Sequence, residues 1–265
     1  MITTVQRLAP LTGTDALVIV DAREPAHYQD GHVPGAINLH PSHLEETVTL
    51  SSGVDVPNVM VSEEAAAEIL GRHGISSSRP VCIYDEGGGY TAARLWWMLD
   101  YLGHDQISIL DGGMHCWERE TAALEFSPRS LSSAAFHARV HPERLVRFSE
   151  LITIVGSQEA VLVNALPVEA YLNETLPLSI NCPYTATYAE DNYPLLRSRH
   201  ELASLLARFG IGPMRRAVCF CGIGYTASQL YFSARLAGHE RVALYDGSMV
   251  DWSARGGELI PGSYS

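Results

Sequence analysis

The chain has 265 residues, of which 46% are hydrophobic and 18% charged, and its formal net charge is −12. This composition is that of an ordinary globular protein whose length suits two domains, and the negative charge argues against nucleic acid or an anionic membrane as a partner. Because all 18 cationic side chains are arginines, Schiff-base and P-loop chemistry, which require lysine, are excluded.

The start of the chain carries no recognisable targeting signal. Residues 1–7 contain no charged segment leading into a long apolar core, and no apolar stretch approaches the ~18 residues of a membrane span. The five cysteines are too few and too irregularly spaced for a disulfide framework, and the C-x-C pair at Cys219 and Cys221 lacks the second pair of a zinc site. We therefore expect a cytoplasmic protein with reduced cysteines, no metal and no cofactor.

Short apolar runs alternate with amphipathic stretches through the first half of the chain. The runs at 16–20, 80–84 and 107–110 end at polar turns, as buried parallel strands do. The stretches at 63–73 and 91–102 have helical periodicity, and Ser62 followed by two glutamates is a helix-start signal. This alternation predicts a parallel sheet flanked by helices.

A segment rich in serine and proline at 125–147 follows and is typical of a linker. Beyond it the same alternation returns. Strands are predicted at 160–163, 217–220 and 241–245, and helices at 199–209 and 226–237. The sequence therefore predicts an α/β protein with two domains, residues 1–124 and 148–265, joined by residues 125–147.

The two halves are copies of one unit. The segment 87–92 (GGGYTA) matches 222–227 (GIGYTA) at an offset of 135, and 110–114 (LDGGM) matches 245–249 (YDGSM) at the same offset. Nearer the start of each copy the offset is 143, as in 20–22 (VDA) against 163–165 (VNA). A repeat this long indicates duplicated domains rather than a solenoid of short units. In this alignment Glu86 stands opposite Cys221.

Cys221 is the strongest candidate for a chemically active residue. It follows an apolar strand and opens a glycine-containing loop, Gly222, Ile223, Gly224, Tyr225 and Thr226, that leads into a helix. Such a loop points several backbone N–H groups at the start of the helix and stabilises negative charge. The carboxyl ends of parallel strands are also where ligands bind in α/β sheets.

Two other interpretations of Cys221 are open at this point. The first is an inert cysteine buried in a strand–helix turn, as most free cysteines are; Cys219 and Cys82 fit that description. The second is a cysteine phosphatase, which needs the pattern C-x5-R so that an arginine can hold phosphate through two hydrogen bonds. Here the sixth residue after Cys221 is Ala227, and the loop contains no cation, so a phosphatase is not supported.

The motifs of both halves resemble tandem-domain rhodanese-like sulfurtransferases, the group of thiosulfate and 3-mercaptopyruvate sulfurtransferases. In the first copy, 21–23 (DAR) and 31–38 (GHVPGAIN) resemble the family's strand-turn and G-H-I-P-G-A elements; in both copies, 111–117 and 246–252 resemble its D-G-G-x-x-x-W element. The resemblance covers nearly the whole chain and implies two rhodanese-like domains, of which the second supplies the cysteine. The loop 221–226 (CGIGYT) is closer to the mercaptopyruvate type than to the basic loop of thiosulfate enzymes.

The resemblance implies that Cys221 attacks the outer sulfur of a small anionic donor and becomes a persulfide. That sulfur then passes to a thiol or to cyanide, with a thioredoxin-like protein as a further candidate acceptor. Backbone N–H groups from Gly222 to Thr226 and the Thr226 hydroxyl are expected to surround the charged sulfur. Glycines suit this loop because the backbone must approach closely and can need a positive φ.

The second copy departs from the family where the donor should be held. Active domains carry Asp-x-Arg after the first strand, whereas this copy has Asn164 and Leu166, and Ala170 stands where a donor-gripping arginine is expected. Two functions therefore stay open. One is a sulfurtransferase with weak activity towards the usual anions. The other is a degenerate rhodanese-like module that binds a partner or carries sulfur slowly.

The remaining polar residues are expected to have structural roles. Asp21 and Arg23 are predicted to form a structural pair near a strand end, and Glu45 and Glu46 are predicted to lie on a solvated face. His40 lies on a loop that can face the cleft in two-domain members of the family, and we regard it as a minor candidate for donor binding.

Overall fold

The computed structural model describes residues 1–189 and 194–263. The strands in chain order are β1 (Ile2–Thr3), β2 (Val18–Asp21), β3 (Ala36–Asn38), β4 (Glu45–Thr49), β5 (Asp55–Met60), β6 (Val81–Tyr84), β7 (Ile107–Leu110), β8 (Leu145–Val146), β9 (Ala160–Asn164), β10 (Ser179–Asn181), β11 (Arg216–Phe220) and β12 (Val242–Tyr245). The α-helices are α1 (Val5–Leu8), α2 (Pro25–Gln29), α3 (Glu63–Arg72), α4 (Tyr90–Tyr101), α5 (Gly113–Thr121), α6 (Phe148–Ser157), α7 (Val168–Asn173), α8 (Arg199–Arg208), α9 (Tyr225–Ala237) and α10 (Ser248–Ala254). None of the described helices is long and apolar enough to cross a membrane.

The described part of the chain forms two compact units. The first contains Met1–Leu44, Met60–His141 and Ala189–Leu196, with residues 190–193 outside the description. The second contains Glu45–Val59, Pro142–Tyr188 and Arg197–Ser263. We expected a division at the linker 125–147; in the structure, β8 within that linker already pairs with β12 of the second unit, and two segments group with the unit of the other half.

The first unit is built on a five-stranded parallel sheet in the order β1-β7-β6-β2-β3. Its two central strands, β2 and β6, are buried along their whole lengths, which explains why they read as unbroken apolar runs rather than alternating ones. Helix α4 covers a large share of the core and buries Trp96 and Trp97. The predicted parallel sheet and its flanking helices are confirmed.

The second unit repeats this architecture. Its five parallel strands are ordered β10-β9-β11-β12-β8, so that β9 and β11 occupy the central places that β2 and β6 hold in the first unit. All residues of β9 and β12, and all but the first residue of β11, are buried. The α/β fold expected from the sequence, with two parallel sheets each flanked by helices, is therefore confirmed.

The four helices predicted from the sequence, α3, α4, α8 and α9, begin within one residue of the predicted positions. The Ser62 hydroxyl caps α3 by accepting the N–H of Ala65, and Ser198 forms a capping box with Glu201 at the start of α8. Helices α4 and α9 begin differently. Each has a glycine N-cap with positive φ, Gly89 at +73° and Gly224 at +95°, and this conformation turns the chain sharply from the sheet edge into the helix.

Candidate active site

Cys221 is the first residue beyond β11, at the carboxyl edge of the second sheet. Its Sγ atom accepts the N–H of Gly224 at 3.1 Å, and its backbone C=O accepts the N–H of Met249 at 3.0 Å. The side chain is buried, but it lies outside the strand and against the first turn of α9. A thiol in this place can be stabilised as an anion by the N–H groups and dipole of the helix start.

Ser248 is a site residue that the sequence did not single out. Its Oγ atom accepts the backbone N–H of Cys221 at 3.1 Å and donates to the C=O of Tyr245 at 3.0 Å. It is fully buried and has a φ of +53°, a conformation that costs free energy for a residue with a Cβ atom. The sequence holds one sign of this conformation, because the first copy has a glycine, Gly113, at the equivalent position. In the structure Gly113 has a φ of +54°.

The loop residues after Cys221 differ in their roles. Gly224 needs its glycine because its φ is +95°, whereas Gly222 has no positive φ, and a Cβ added there would meet nothing within 4 Å. The space over Gly222 is therefore open. Ile223 is 39% exposed. The Thr226 hydroxyl is buried without a hydrogen-bond partner among the described residues.

Tyr225 connects the loop to a distant part of the sequence. Its hydroxyl donates to Oε2 of Glu45 at 2.9 Å, and the same carboxylate oxygen accepts Nδ2 of Asn58 at 3.2 Å. Glu45 is on β4 and Asn58 is on β5, both within the second unit. The prediction that Glu45 lies on a solvated face is wrong. Its carboxylate is half-buried and holds the phenol of the Cys221 loop.

Asn164 and Leu166 have structural contacts inside the second unit. Asn164 is fully buried; its Nδ2 donates to Thr175 Oγ1 at 2.9 Å, and its Oδ1 accepts the N–H of Leu166 at 2.9 Å. The Leu166 side chain packs against the core of the second unit. Ala170 is half-buried on α7. None of the three supplies a cation.

The first unit keeps the ion pair that the second has lost. Arg23 donates from Nε and Nη2 to the Asp21 carboxylate, at 2.7 to 3.1 Å, and from Nη1 to Glu86 at 3.1 Å. The backbone N–H of Arg23 donates to Asp21 Oδ1, in the same way as Leu166 N–H donates to Asn164 Oδ1. The predicted Asp21–Arg23 pair is confirmed. His40 bonds to Ser42 and approaches Glu24 within this unit.

The other four cysteines are buried, and Cys116 has a cation beside its sulfur, with Arg119 Nη2 at 3.5 Å. Burial raises the pKa of Cys82 and of Cys182 to about 12 in each case and raises the pKa of Cys219 further. Burial also raises the pKa of Cys116. Thiols held in the neutral form are poor nucleophiles, and no group of three or more His, Cys, Asp or Glu side chains within the described residues is arranged to hold a metal ion.

The family model described as "Rhodanese-like domain" matches residues 4–120 and 148–255. The chain belongs to the rhodanese-like family. The two matches fall on the two copies found in the sequence, and the second rhodanese-like domain contains the Cys221 loop.

Curated relatives cover most of both chains. The chain is 26% identical over 246 residues to 3-mercaptopyruvate sulfurtransferase of Escherichia coli K12, covering 89% of this chain and 85% of the relative. It is 28% identical over 246 residues to thiosulfate sulfurtransferase of Gallus gallus, covering 89% and 82%.

Solved structures agree on the fold. The crystal structure of SseA from Escherichia coli, a 3-mercaptopyruvate sulfurtransferase, superposes with a TM-score of 0.80 at 26% identity and covers 93% of this chain and 98% of that one. Wild-type EanB superposes with a TM-score of 0.85 at 22% identity, covering 99% of this chain and 69% of EanB. The EanB likeness bears on the fold alone.

Proposed function

We propose that this protein is a sulfurtransferase that moves a sulfane sulfur from a small anionic donor to a thiol or to cyanide through a persulfide on Cys221. The donor is of the 3-mercaptopyruvate or thiosulfate type. The observation that carries the proposal is the hydrogen bond from Gly224 N–H to Cys221 Sγ at the N-terminus of α9. The curated relatives named above, sulfurtransferases for these two donors, support the same reaction.

The chemistry has two steps. In the first, the Cys221 thiolate attacks the outer sulfur of the donor; a new S–S bond forms, the donor's own bond to that sulfur breaks, and its electron pair leaves with pyruvate enolate or sulfite. In the second, the acceptor thiolate or cyanide attacks the outer sulfur of the persulfide and returns Cys221 as a thiolate. The negative charge on Cys221 Sγ, present at the start of the first step and returned by the second, lies beside the Gly224 N–H, which stabilises it.

Ser248 has a positioning role in this scheme. Because its Oγ atom accepts the Cys221 N–H, it fixes the backbone from which the sulfur projects without touching the sulfur. Tyr225, held by Glu45, fixes the next turn of the same loop. The loop is therefore tied on both sides of Gly222, and the open space over Gly222 leaves room for the donor to approach.

A degenerate module that binds a partner or carries sulfur slowly is the second candidate. The absence of a cation at Asn164, Leu166 and Ala170 favours it, since a charge-assisted hydrogen bond to an anionic donor is worth roughly 1.5–3 kcal/mol. The intact Cys221 loop and its hydrogen bonds favour the enzyme.

Mass spectrometry distinguishes the two candidates. The protein is incubated with mercaptopyruvate or with thiosulfate and mapped for a gain of one sulfur atom. We expect the gain on Cys221, its loss in Cys221→Ser, and its retention in the matched control Cys219→Ser, whose thiol is buried in β11. A protein that gains sulfur in the Cys221→Ser variant and not in Cys219→Ser contradicts the assignment, and one that gains none with either donor supports the binding module.

A further inference from the structure

The residue of the first unit that corresponds to Cys221 is Asp85, not Glu86. The last residue of β2, Asp21, pairs with Tyr84, and the last residue of β9, Asn164, pairs with Phe220. Tyr84 and Phe220 are therefore equivalent, and the next residue in each unit is Asp85 or Cys221. The sequence alignment through the glycines was wrong by one position here, because the first loop carries one extra residue before its N-cap glycine.

The Asp85 carboxylate accepts hydrogen bonds from the backbone N–H groups of its own loop, and we call this set of donors the cradle. Its Oδ1 atom accepts the N–H groups of Gly87 at 3.0 Å and Gly89 at 3.1 Å, and its Oδ2 atom accepts the N–H of Ala92 at 3.1 Å and the Thr91 hydroxyl at 3.2 Å. Gly89 is the N-cap of α4, as Gly224 is of α9. The same backbone donor thus binds a carboxylate oxygen in one unit and the Cys221 sulfur in the other.

We propose that the loop after β6 is a second sulfur site in latent form, in which the chain's own Asp85 carboxylate takes the place of a charged cysteine sulfur. The sulfur chemistry of this proposal rests on the proposed function. In this proposal the first unit takes up no sulfur for two reasons: position 85 carries no thiol, and the N–H groups of the loop already bind an internal anion, the Asp85 carboxylate. A thiol at position 85 would restore a site that accepts a sulfane sulfur.

Gly113 and Ser248 mark a second difference between the units. A Cβ atom added at Gly113 would lie 2.4 Å from the Asp85 backbone oxygen and 2.9 Å from the Gly87 nitrogen. Ser248, which stands at the equivalent position of the second unit, carries a buried side chain.

The first unit also retains the cation that a donor anion would need. Arg23 corresponds to Leu166 of the second unit, and its guanidinium is oriented by the buried Asp21 carboxylate. The outward Nη1 atom is bonded to Glu86, whose side chain is 68% exposed. Glu86 is thus a second internal anion, placed where an external one would meet Arg23. The second unit therefore contains Cys221, and the first unit contains the arginine at the position that Leu166 occupies in the second.

The step at the restored site balances in the same way as at Cys221. The introduced thiolate attacks the outer sulfur of thiosulfate; one S–S bond forms, the thiosulfate S–S bond breaks, and sulfite leaves with the electron pair. No oxidant is needed. Neutralising Glu86 should speed this step, because the Arg23 guanidinium can then bind the anionic donor instead of the Glu86 carboxylate.

The test uses Asp85→Cys in the full-length Cys221→Ser chain, with Asp85→Ser in the same background as the control. Each protein is treated with thiosulfate and mapped by mass spectrometry. We expect a gain of one sulfur atom at position 85, faster after the further change Glu86→Ala, and no gain in the control. A folded Asp85→Cys protein that gains no sulfur, beside an unmutated protein that gains it on Cys221, overturns the proposal.

Two further measurements keep the outcome decisive. If the unmutated protein takes sulfur from neither mercaptopyruvate nor thiosulfate, the proposed function fails. The latent site is then tested by the rate at which iodoacetamide alkylates the thiol introduced at position 85. A rate no higher than that of the four buried cysteines contradicts the latent site. If Asp85→Cys does not fold, Asp85→Asn is compared with Glu86→Gln in the otherwise native chain. We expect the melting temperature to fall only for Asp85→Asn, and an unchanged value contradicts an anion-requiring cradle.

Discussion

The Oγ atom of Ser248 lies 3.1 Å from the backbone nitrogen of Cys221 and accepts its N–H. This contact satisfies the buried backbone N–H of the residue that carries the candidate nucleophilic sulfur. It is made by a residue held at a φ of +53°, where an ordinary side chain is strained. The strain and the hydrogen bond can be separated by mutation, because glycine removes both and alanine removes only the hydrogen bond.

Ser248→Ala should therefore be worse than Ser248→Gly. Alanine leaves the Cys221 N–H unsatisfied, at a cost of about 1–3 kcal/mol in the free energy of unfolding, and keeps the strained backbone. Glycine leaves the same donor unsatisfied but adopts positive φ freely, as Gly113 does in the first unit. Urea unfolding of both variants and single-turnover sulfur uptake by Cys221 measure the two effects. Equal stability of the two variants would show that the backbone here is not strained.

The Glu45 carboxylate should disfavour the more highly charged donor. Thiosulfate is a dianion and mercaptopyruvate a monoanion at neutral pH, and two unit charges at 4 Å in water repel by about 1 kcal/mol. We expect Glu45→Gln, which can still accept the Tyr225 hydroxyl, to raise kcat/KM for thiosulfate by up to about fivefold and to raise that for mercaptopyruvate less. Steady-state kinetics with both donors measures the ratio.

Glu46→Gln is the matched control for this prediction, since Glu46 is the adjacent carboxylate and its side chain is exposed. The same change in donor preference in both variants would mean that net charge, rather than the Glu45–Tyr225 contact, sets the preference. An unmutated protein that prefers thiosulfate over mercaptopyruvate would contradict the prediction directly.

Reinstalling a cation in the second unit should improve donor binding. Ala170 is half-buried on α7, beyond the end of β9 at the sheet edge that carries Cys221. A guanidinium there that meets the donor carboxylate gains roughly 1.5–3 kcal/mol, so Ala170→Arg should lower KM for mercaptopyruvate by about 10–100-fold. Circular dichroism must first show that the variant folds. A folded variant with an unchanged KM places the anion elsewhere.

Leu166→Arg is the informative companion variant. On its own it should destabilise the fold, because Leu166 is partly buried against the core and the neighbouring Asn164 is neutral, so the new charge would be partly buried without a partner. Adding Asn164→Asp should recover stability by recreating the Asp21–Arg23 arrangement of the first unit. Thermal unfolding of the single and double variants tests this coupling.

Acid should weaken the first unit through His104. Its Nε2 lies 3.1 Å from the C=O groups of Ser76 and Arg79, and its Nδ1 accepts the N–H of Gln106, so the neutral ring fits and a second ring proton would face a donor. Burial lowers the pKa of His104. The unfolded chain, with an ordinary histidine pKa of ~6.5, therefore binds more protons in this range.

The sign of the effect follows from that difference. The stability that His104 contributes is fully present above pH ~6.5 and is lost as the pH falls below that value towards the lowered pKa of the folded state. Urea unfolding between about pH 7.5 and about pH 5, a range that spans the ordinary histidine pKa of ~6.5, should show a smaller pH dependence in His104→Gln than in the unmutated protein. The same substitution at exposed His200 is the control, and equal slopes for both variants would contradict the assignment.

The sequence predicted the sheets and the position of the Cys221 loop at the end of a strand because each leaves a local signal. Unbroken apolar runs mark β6 and β11 as central strands, and the change from glycines to helical periodicity marks the start of α9. The insertion beside Glu86 left no such signal, since Gly89 and Gly224 align whether or not a residue is added before them. Only the pairing of Tyr84 with Asp21 and of Phe220 with Asn164 reveals it.

The hydrogen bonds that hold the Cys221 loop in place, from Tyr225 to Glu45 and from Cys221 to Ser248, could not be predicted from the sequence for a different reason. Glu45 and Tyr225 are 180 residues apart, and a single glutamate in a polar segment looks the same whether it faces water or a phenol. Ser248 differed visibly from Gly113, but a serine in place of glycine says nothing of its hydrogen bond until the backbone conformation is known. Both are long-range facts of the packed chain.

The exchange of segments between the two units has a consequence for how the protein can be made and cut. The second unit includes Glu45–Val59, which is synthesised long before the rest of it, and the first unit includes Ala189–Leu196, where Leu195 packs against its core. Neither half of the gene encodes a whole unit. Expression of residues 148–265 alone omits the carboxylate that holds Tyr225, and during synthesis the first unit stays incomplete until residues 189–196 have left the ribosome. The chain contains two copies of one fold, but each unit includes a segment from the other half of the sequence, so both halves are needed to complete either unit.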